Sequence, residues 1–327
     1  MKEYAGMMAA QVAQVLLMIV RKSAIADGMP NYSFIFYSNA LASLILLPLS
    51  LISHRSSVSL PPLNFRVICG ILMLGLLGFM SQIFGYYGTS FTSAALATTL
   101  LNLIPGFTLL LAILYGLETV NSGRTTTHAK FIGTGLSIAG ALIVTSYKGP
   151  LLWVFSSTWV LGGILLAIDS VLCSLYLITQ AFVIEKYPAV MIITFAYCFV
   201  CTILSALTSL IVGDDLSSFS LQPNIRLYCI LYLGIFGSAF QVTMMAWCLQ
   251  RKGPVFVAMF YPVGIVISTF IGIIFLGDGF YFHSLLGSIV VAIGFYAVMW
   301  GKANDDDKIL MVSKIADEEA PLLHDAV

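Results

Sequence analysis

Ten apolar stretches, each close to the ~20 residues a helix needs to cross a bilayer, divide into two sets of five that repeat one another. They run over residues 4–22, 33–53, 66–87, 92–115 and 128–147, then 158–179, 190–211, 226–247, 254–276 and 282–300. Arg66-Val-Ile-Cys69 recurs as Arg226-Leu-Tyr-Cys229 at an offset of 160, and Glu118 returns as Asp278 at the same offset. Pro30 returns as Pro188 at 158, and the pair Gly133 and Gly140 as Gly287 and Gly294 at 154. Because each set is odd in number, the second must enter the membrane from the side opposite the first. The expected fold is an all-α membrane protein of ten transmembrane helices, built as two inverted five-helix repeats. Secondary transporters use this arrangement to expose a midplane site to alternate sides. The expected division is residues 1–150 for the first repeat (helices 1–5), 151–302 for the second (helices 6–10) and 303–327 for a cytoplasmic tail.

Composition agrees with this reading and excludes several classes of function. Hydrophobic residues make up 59% of the chain and charged residues 9%, against roughly 45–50% and about 25% in soluble domains. The net charge of zero offers nucleic acid no electrostatic hold, so no nucleic-acid partner is expected. Lys and Arg concentrate on the cytoplasmic side of membrane proteins, and they divide eleven to four in favour of a cytoplasmic amino terminus. Both termini are therefore expected inside. The six cysteines lie in or beside apolar stretches without metal-ligand spacing, and they read as small hydrophobes. The chain has no Walker A loop, HExxH motif or GxSxG elbow, so neither direct use of ATP nor embedded hydrolysis is expected. It reads as no enzyme, with no catalytic residues, no metal site and no cofactor. No Lys or Arg lies deep in any stretch, which argues against phosphorylated sugars and nucleotide sugars as cargo.

The tail after Trp300 carries Asp305, Asp306 and Asp307, then Asp317, Glu318 and Glu319, a composition expected to be disordered. Within it, Glu318-Glu319-Ala-Pro-Leu322-Leu323 has the form of an acidic dileucine sorting signal read by an adaptor; the alternative is a chance pair of leucines in a charged tail.

An ionisable side chain at the centre of a spanning helix costs on the order of 2.5 to 3.5 kcal/mol on insertion scales, so it calls for a reason. Asp169, at the middle of the sixth stretch, is such a residue. It is a candidate proton carrier, or a partner for a substrate ammonium group; the structural alternative is a hydrogen-bonded acid that only ties helices together. At an offset of 158 its repeat equivalent is Gln11, with Gln14 on the same helix face. Asn39, Gln82, Asn102 and Gln241 complete a set of amides at intermediate depth. Together with Tyr261 they are the candidate substrate-binding residues. Singly, each amide is as well explained as helix-packing glue. Pro105 and Pro262 each remove a backbone hydrogen bond and are expected to kink the fourth and ninth helices. Gly133, Gly140, Gly287 and Gly294 permit close helix contact, which suits rocking bundles and would equally suit a static bundle or a homodimer.

Several stretches resemble the plant drug/metabolite exporter branch of the drug/metabolite transporter superfamily: nodulin-21-like, walls-are-thin-related or UMAMIT proteins with two EamA repeats. The resemblance rests on Asn102-Leu-Ile-Pro-Gly-Phe-Thr108, Tyr147-Lys-Gly-Pro150, Gln180 with Tyr187-Pro188, Arg251-Lys-Gly-Pro-Val-Phe-Val-Ala258, and Tyr296 to Trp300-Gly-Lys302. It covers both halves. It implies ten helices in two inverted repeats, and transport of amino acids, auxin or related metabolites across the plasma membrane or tonoplast. The chain departs from the family's common Phe-Asn-Pro at Phe260-Tyr261-Pro262, from its Leu-Gly-Glu at Asp278, and from its Tyr-Arg-Asn at Tyr37-Ser38-Asn39. Glu118 and Asp278 sit at helix ends, where a gate or structural role is expected.

The leading expectation is a transporter or facilitator of small zwitterionic or weakly acidic solutes, foremost amino acids, working by alternating access with Asp169 sensing charge or protons. An auxin or aromatic-metabolite exporter is the alternative within this architecture. A membrane receptor that binds without moving its ligand is the alternative of another class.

Overall fold

The computed structural model describes residues 2–26, 31–56, 64–92, 100–118, 125–146, 157–212, 225–275 and 282–319. Among the described residues there is no strand, and ten helical units follow one another. The first repeat holds α1 (Lys2–Ala26), α2 (Asn31–Ser56), α3 (Phe65–Phe91), α4 (Ile104–Leu114) and α5 (Thr125–Ser146). The second opens with α6 (Ser157–Lys186) and α7 (Val190–Val212). Next, α8 is assembled from Ile225–Tyr232, a π-helical section Leu233–Gln241, and Val242–Lys252. Then α9 comprises Pro254–Ala258 and Phe260–Phe275, and α10 runs over Phe282–Glu319.

Six of the described helices are long and apolar enough to cross a membrane by length and composition alone. Their outward faces are apolar, as contact with lipid requires: Leu44 is 68% exposed, Leu210 74% and Ile211 84%. Inward, Phe34, Phe79, Phe256 and Phe260 are fully buried. The chain is an all-α, multi-pass membrane protein.

The helix pairings follow a pseudo-twofold pattern. A shift of about 160 residues turns α1–α5 into α6–α10. The observed neighbours α2/α7 and α5/α10 map onto themselves under that exchange, α3/α6 maps onto α8/α1, and α4/α6 maps onto α9/α1. The α5/α10 contact gives the direction of the axis. Gly133 lies against Gly294 and Gly140 against Gly287, so numbering rises along one helix as it falls along the other. A twofold axis that exchanges two antiparallel helices must be perpendicular to them, hence in the membrane plane. The repeats are therefore inverted.

Only glycine fits this crossing. A Cβ on Gly133 would stand 2.7 Å from the Gly294 carbonyl oxygen, and one on Gly140 would stand 2.8 Å from the Gly287 carbonyl oxygen. Backbone-to-backbone approach of this kind replaces the hydrophobic drive that lipid cannot supply between helices.

Pro105 cannot donate to the Leu101 carbonyl four residues back, and the fourth helix is broken at Asn102–Leu103, beside that point, with helical Leu100 and Leu101 before the break and α4 after it. One expectation is corrected. The segment expected to be disordered from residue 303 instead continues α10 to Glu319. Lys308, Ile309, Leu310, Met311 and Lys314 to Ala316 dilute the acidic runs, and several of them favour helix. As at Pro105, Pro262 cannot donate to the Ala258 carbonyl four residues back, and α9 is broken at Met259, beside that point. The turn from α8 to α9 is the single residue Gly253 at φ 81°, a left-handed conformation that favours glycine, followed by Pro254 opening the next helix.

If the α5/α10 contact holds the halves together, Gly133→Val and Gly294→Val will each lower the thermal unfolding midpoint in detergent, by overpacking that costs about 1–3 kcal/mol. Gly135→Ala on the same helix, where an added Cβ meets nothing within 4 Å, will leave the midpoint within experimental error.

Candidate functional site

Asp169 lies at mid-length of α6 and is buried, 6% exposed. The antiparallel neighbour α3 supplies its partner: Ser81 Oγ donates to Asp169 Oδ1 at 2.5 Å. Gly85, one turn further along α3, has no side chain, and the carboxylate fills that space; a Cβ there would be 2.7 Å from Asp169 Oδ2. One turn on from Asp169, Cys173 Sγ lies 3.7 Å from the Tyr261 hydroxyl of α9. The acid is thus bordered by a hydroxyl, a thiol and a phenol from three helices.

Next to Ser81, the Gln82 amide bridges two repeat-equivalent residues. Asn39 Nδ2 of α2 donates to Gln82 Oε1 at 3.4 Å, and Gln82 Nε2 donates to the Tyr197 hydroxyl of α7 at 3.1 Å. Asn39 Nδ2 also donates to the Ile35 carbonyl at 2.9 Å, which fixes its rotamer. The Tyr197 ring packs on Tyr176 of α6 with centroids 5.3 Å apart. Gln180 Nε2 donates to the Tyr176 hydroxyl at 3.3 Å, while Gln180 Oε1 is buried with no hydrogen-bond partner. Asn39, Gln82 and Asp169 are therefore gathered in one network that runs through α2, α3, α6 and α7 and reaches Tyr261 on α9.

The remaining candidates lie around this network. Gln11 is buried on α1 against α9, its Oε1 facing Gly264, where a Cβ would come within 2.7 Å. Gln241 closes the π-helical section of α8, with Nε2 directed at Met245 Sδ at 3.9 Å. Gly6 packs on Met244 and Gly237 on Leu17, so the register of α1 on α8 brings Gln11 and Gln241 to one level. They occupy the place that Asp169 and Ser81 occupy in the other half. Gln14, one turn along α1, is half-buried. Asn102 is buried at the break before α4, beside backbone carbonyls of Leu100 and Ile104 that accept from Ser170 and Ser174 of α6.

Glu118 lies at one end of the bundle. After α4, Gly116 takes φ 73°, and the Leu117 and Glu118 N–H groups turn back to the Ala112 carbonyl at 2.8 and 3.1 Å. This turn aims the carboxylate between Lys130 of α5, at 2.7 Å, and Lys302 of α10. All three side chains are largely buried. Burial by itself raises the acid, but attraction to Lys302 and Lys130 outweighs it and holds Glu118 below its ordinary range. Asp278, Leu322 and Leu323 lie outside the described residues, and Glu318 falls in the last turn of α10.

Several partners escaped sequence reading, yet the repeat offsets mark two of them. Ser81 stands 160 residues before Gln241, and Tyr197 stands 158 after Asn39. Cys173, one helical turn from Asp169, was hidden by being read as a small hydrophobe. Lys130 and Lys302 counted only toward topology.

Comparison with known proteins places this geometry in a family. The model of the EamA-like transporter family matches residues 1–146 and again 160–300. Among similar relatives are three WAT1-related proteins of Arabidopsis thaliana. They are 40%, 38% and 37% identical, over 95%, 98% and 98% of this chain and 88%, 91% and 92% of their own lengths. A solved crystal structure has the same fold, with TM-score 0.71 and 15% identity over 91% of this chain and 96% of that one.

Glu118→Gln leaves two buried ammonium groups without their counter-charge, and it is expected to cost about 3–5 kcal/mol at neutral pH. Because the folded-state acid is held low, its contribution is complete above the ordinary carboxylate range and is lost as pH falls through the lowered folded value. Thermal melts across acidic to neutral pH will therefore separate wild type from Glu118→Gln most at neutral pH, and the two curves will converge on acidification.

Proposed function

Because the chain belongs to the EamA-like transporter family, and is thus a multi-pass membrane transporter of the drug/metabolite type rather than an enzyme, we propose that its cargo is a small zwitterionic solute, an amino acid. In this reading the solute sits at the network of Ser81, Gln82, Asn39, Asp169, Cys173, Tyr197 and Tyr261, and the two halves rock about it to expose it to each side in turn. The observation that carries the reading is the Ser81–Asp169 contact: a buried carboxylate oriented by a hydroxyl, with amides of two other helices adjoining. Asp169 receives the substrate ammonium or a coupled proton, and the amide N–H and hydroxyl groups donate to the carboxylate end. Gln11, Gln14, Asn102 and Gln241 line the approaches from α1, α4 and α8.

A second reading has its own observation. The rings of Tyr176 and Tyr197 pack at 5.3 Å, and Tyr261 borders the acid through Cys173, a surface that also suits an indole or other aromatic acid such as auxin. On either reading both termini face the cytoplasm, and the membrane is the plasma membrane or tonoplast. Glu118 and Asp278 then have a gate or structural role, and an adaptor reads Glu318, Leu322 and Leu323. Close packing of small residues also leaves room for a homodimer.

Uptake of radiolabelled amino acids into proteoliposomes tests the assignment. Asp169→Asn is expected to reduce uptake roughly tenfold or more, the worth of a charge-assisted contact, and to flatten its pH dependence. Retained uptake with unchanged pH dependence would remove Asp169 from the mechanism. Competition by an indole acid, without competition among amino acids, would favour the second reading.

A further inference from the structure

A groove of about 220 Å³ opens on the face of α6 that turns away from the candidate site. Its α6 wall is Leu175, Ile178, Thr179, Phe182, Val183 and Lys186. At about 100° per residue, these residues centre roughly a third of a turn around the helix from Asp169, Cys173 and Tyr176. Opposite stands α3, with Arg66 in its first turn and Gly70 pressed against Val183, where an added Cβ would be 2.7 Å from Val183 Cγ2. Tyr115, just after α4, closes the third side and meets the Phe182 ring edge-on at 5.9 Å.

The groove is amphipathic along its length. Both cations stand at its mouth and both are exposed. Neither Arg66 nor Lys186 forms an ion pair with another described residue. Below them the lining is apolar apart from Thr179 and the Tyr115 hydroxyl, and Leu114 and Phe65, next in sequence to Tyr115 and Arg66, are 76% and 80% exposed. From Lys186 to Leu175 the helix descends roughly 16 Å, about half of a ~30 Å hydrocarbon core. The mouth is at the bundle end that also carries the Glu3–Arg251 and Glu118–Lys302 pairs, so it stands at the bilayer boundary. Two unpaired cations over an apolar trough one leaflet deep match a ligand with a phosphate head and a hydrocarbon tail. A free inorganic anion would leave the apolar floor without a partner, and a net-neutral phospholipid would offer the two cations one phosphate charge while bringing its own ammonium group beside them.

We propose that this groove binds an anionic phospholipid of the leaflet it faces. Arg66 and Lys186 hold the phosphodiester, and an acyl chain lies along Phe182, Ile178 and Leu175. Basic pockets between transmembrane helices bind acidic headgroups on this principle. The bound lipid joins α3 to α6, the two helices that bring Ser81 to Asp169, without touching either residue.

Native mass spectrometry of the full chain, released from vesicles of phosphatidylcholine mixed with phosphatidylserine, tests the site. Wild type is expected to retain phosphatidylserine in preference to phosphatidylcholine. Each of Arg66→Gln and Lys186→Gln is expected to weaken that preference roughly fivefold, and the double variant roughly twenty-five-fold, at about one surface-charge contribution per cation. Arg66→Lys keeps the charge and should keep most of the preference. An unaltered thermal melt identifies variants that are folded. Equal retention of the two lipids by wild type, undiminished phosphatidylserine in a folded double variant, or displacement of the lipid by millimolar inorganic phosphate would each overturn the proposal.

Discussion

The rest of the architecture depends on the close antiparallel crossing of α5 and α10, where Gly133 meets Gly294 and Gly140 meets Gly287. In a bilayer, burying apolar side chains against one another gains little over burying them in lipid, so helices associate where backbones can approach closely. That crossing fixes the pseudo-twofold axis in the membrane plane, and the other pairings follow: α2 on α7 across the axis, α3 on α6, and α1 on α8 as its image. The Glu118 triad adds a second tie between the same elements, joining the turn after α4 to α5 and α10. In the proposed rocking of the halves, these contacts would be the pivot.

The symmetry of the scaffold contrasts with the asymmetry of its chemistry. At the α3/α6 contact an acid is held by a serine hydroxyl; at the equivalent α1/α8 contact two amides occupy the corresponding level. The backbone differs as well. Where α3 is regular through Ser81, α8 takes a π-helical course from Leu233 to Gln241, with Gly234 and Gly237 pressed on Leu41 and Leu17. A π-section shifts the register of the side chains beyond it and is often found at functional sites. Duplication thus supplies two equivalent frames, and divergence places a charge in only one of them.

Much of the fold was legible in the chain because membrane insertion imposes a length on every helix and duplication imposes an offset on every landmark. The offset of 154 paired Gly133 with Gly287, and the structure then crossed the pairs to make the contact. The candidate site was legible in its acid and amides, since a polar group inside a bilayer is conspicuous in any sequence. Its hydroxyls and thiol were not: Ser81, Tyr197 and Cys173 are unremarkable in an apolar helix until tertiary packing brings them to Asp169 and Gln82. Pro105 and Pro262 were legible because each leaves a carbonyl four residues back without its donor, and the helices break beside those carbonyls, at Asn102–Leu103 and at Met259. The tail misled through its acidic runs, which outweighed the helix formers between them.

In the proposed mechanism the substrate occupies the space between Asp169, Cys173 and Tyr261. Cys173 is native to that space and can report on it without substitution. The rate of its alkylation by a small permeant maleimide, followed by peptide mass spectrometry in transporting vesicles, is the direct test, with exposed Cys69 as internal standard. A transported amino acid is expected to slow labelling of Cys173 in a concentration-dependent way while Cys69 reacts unchanged. Equal Cys173 labelling with and without saturating substrate, in vesicles that transport it, would place the substrate elsewhere.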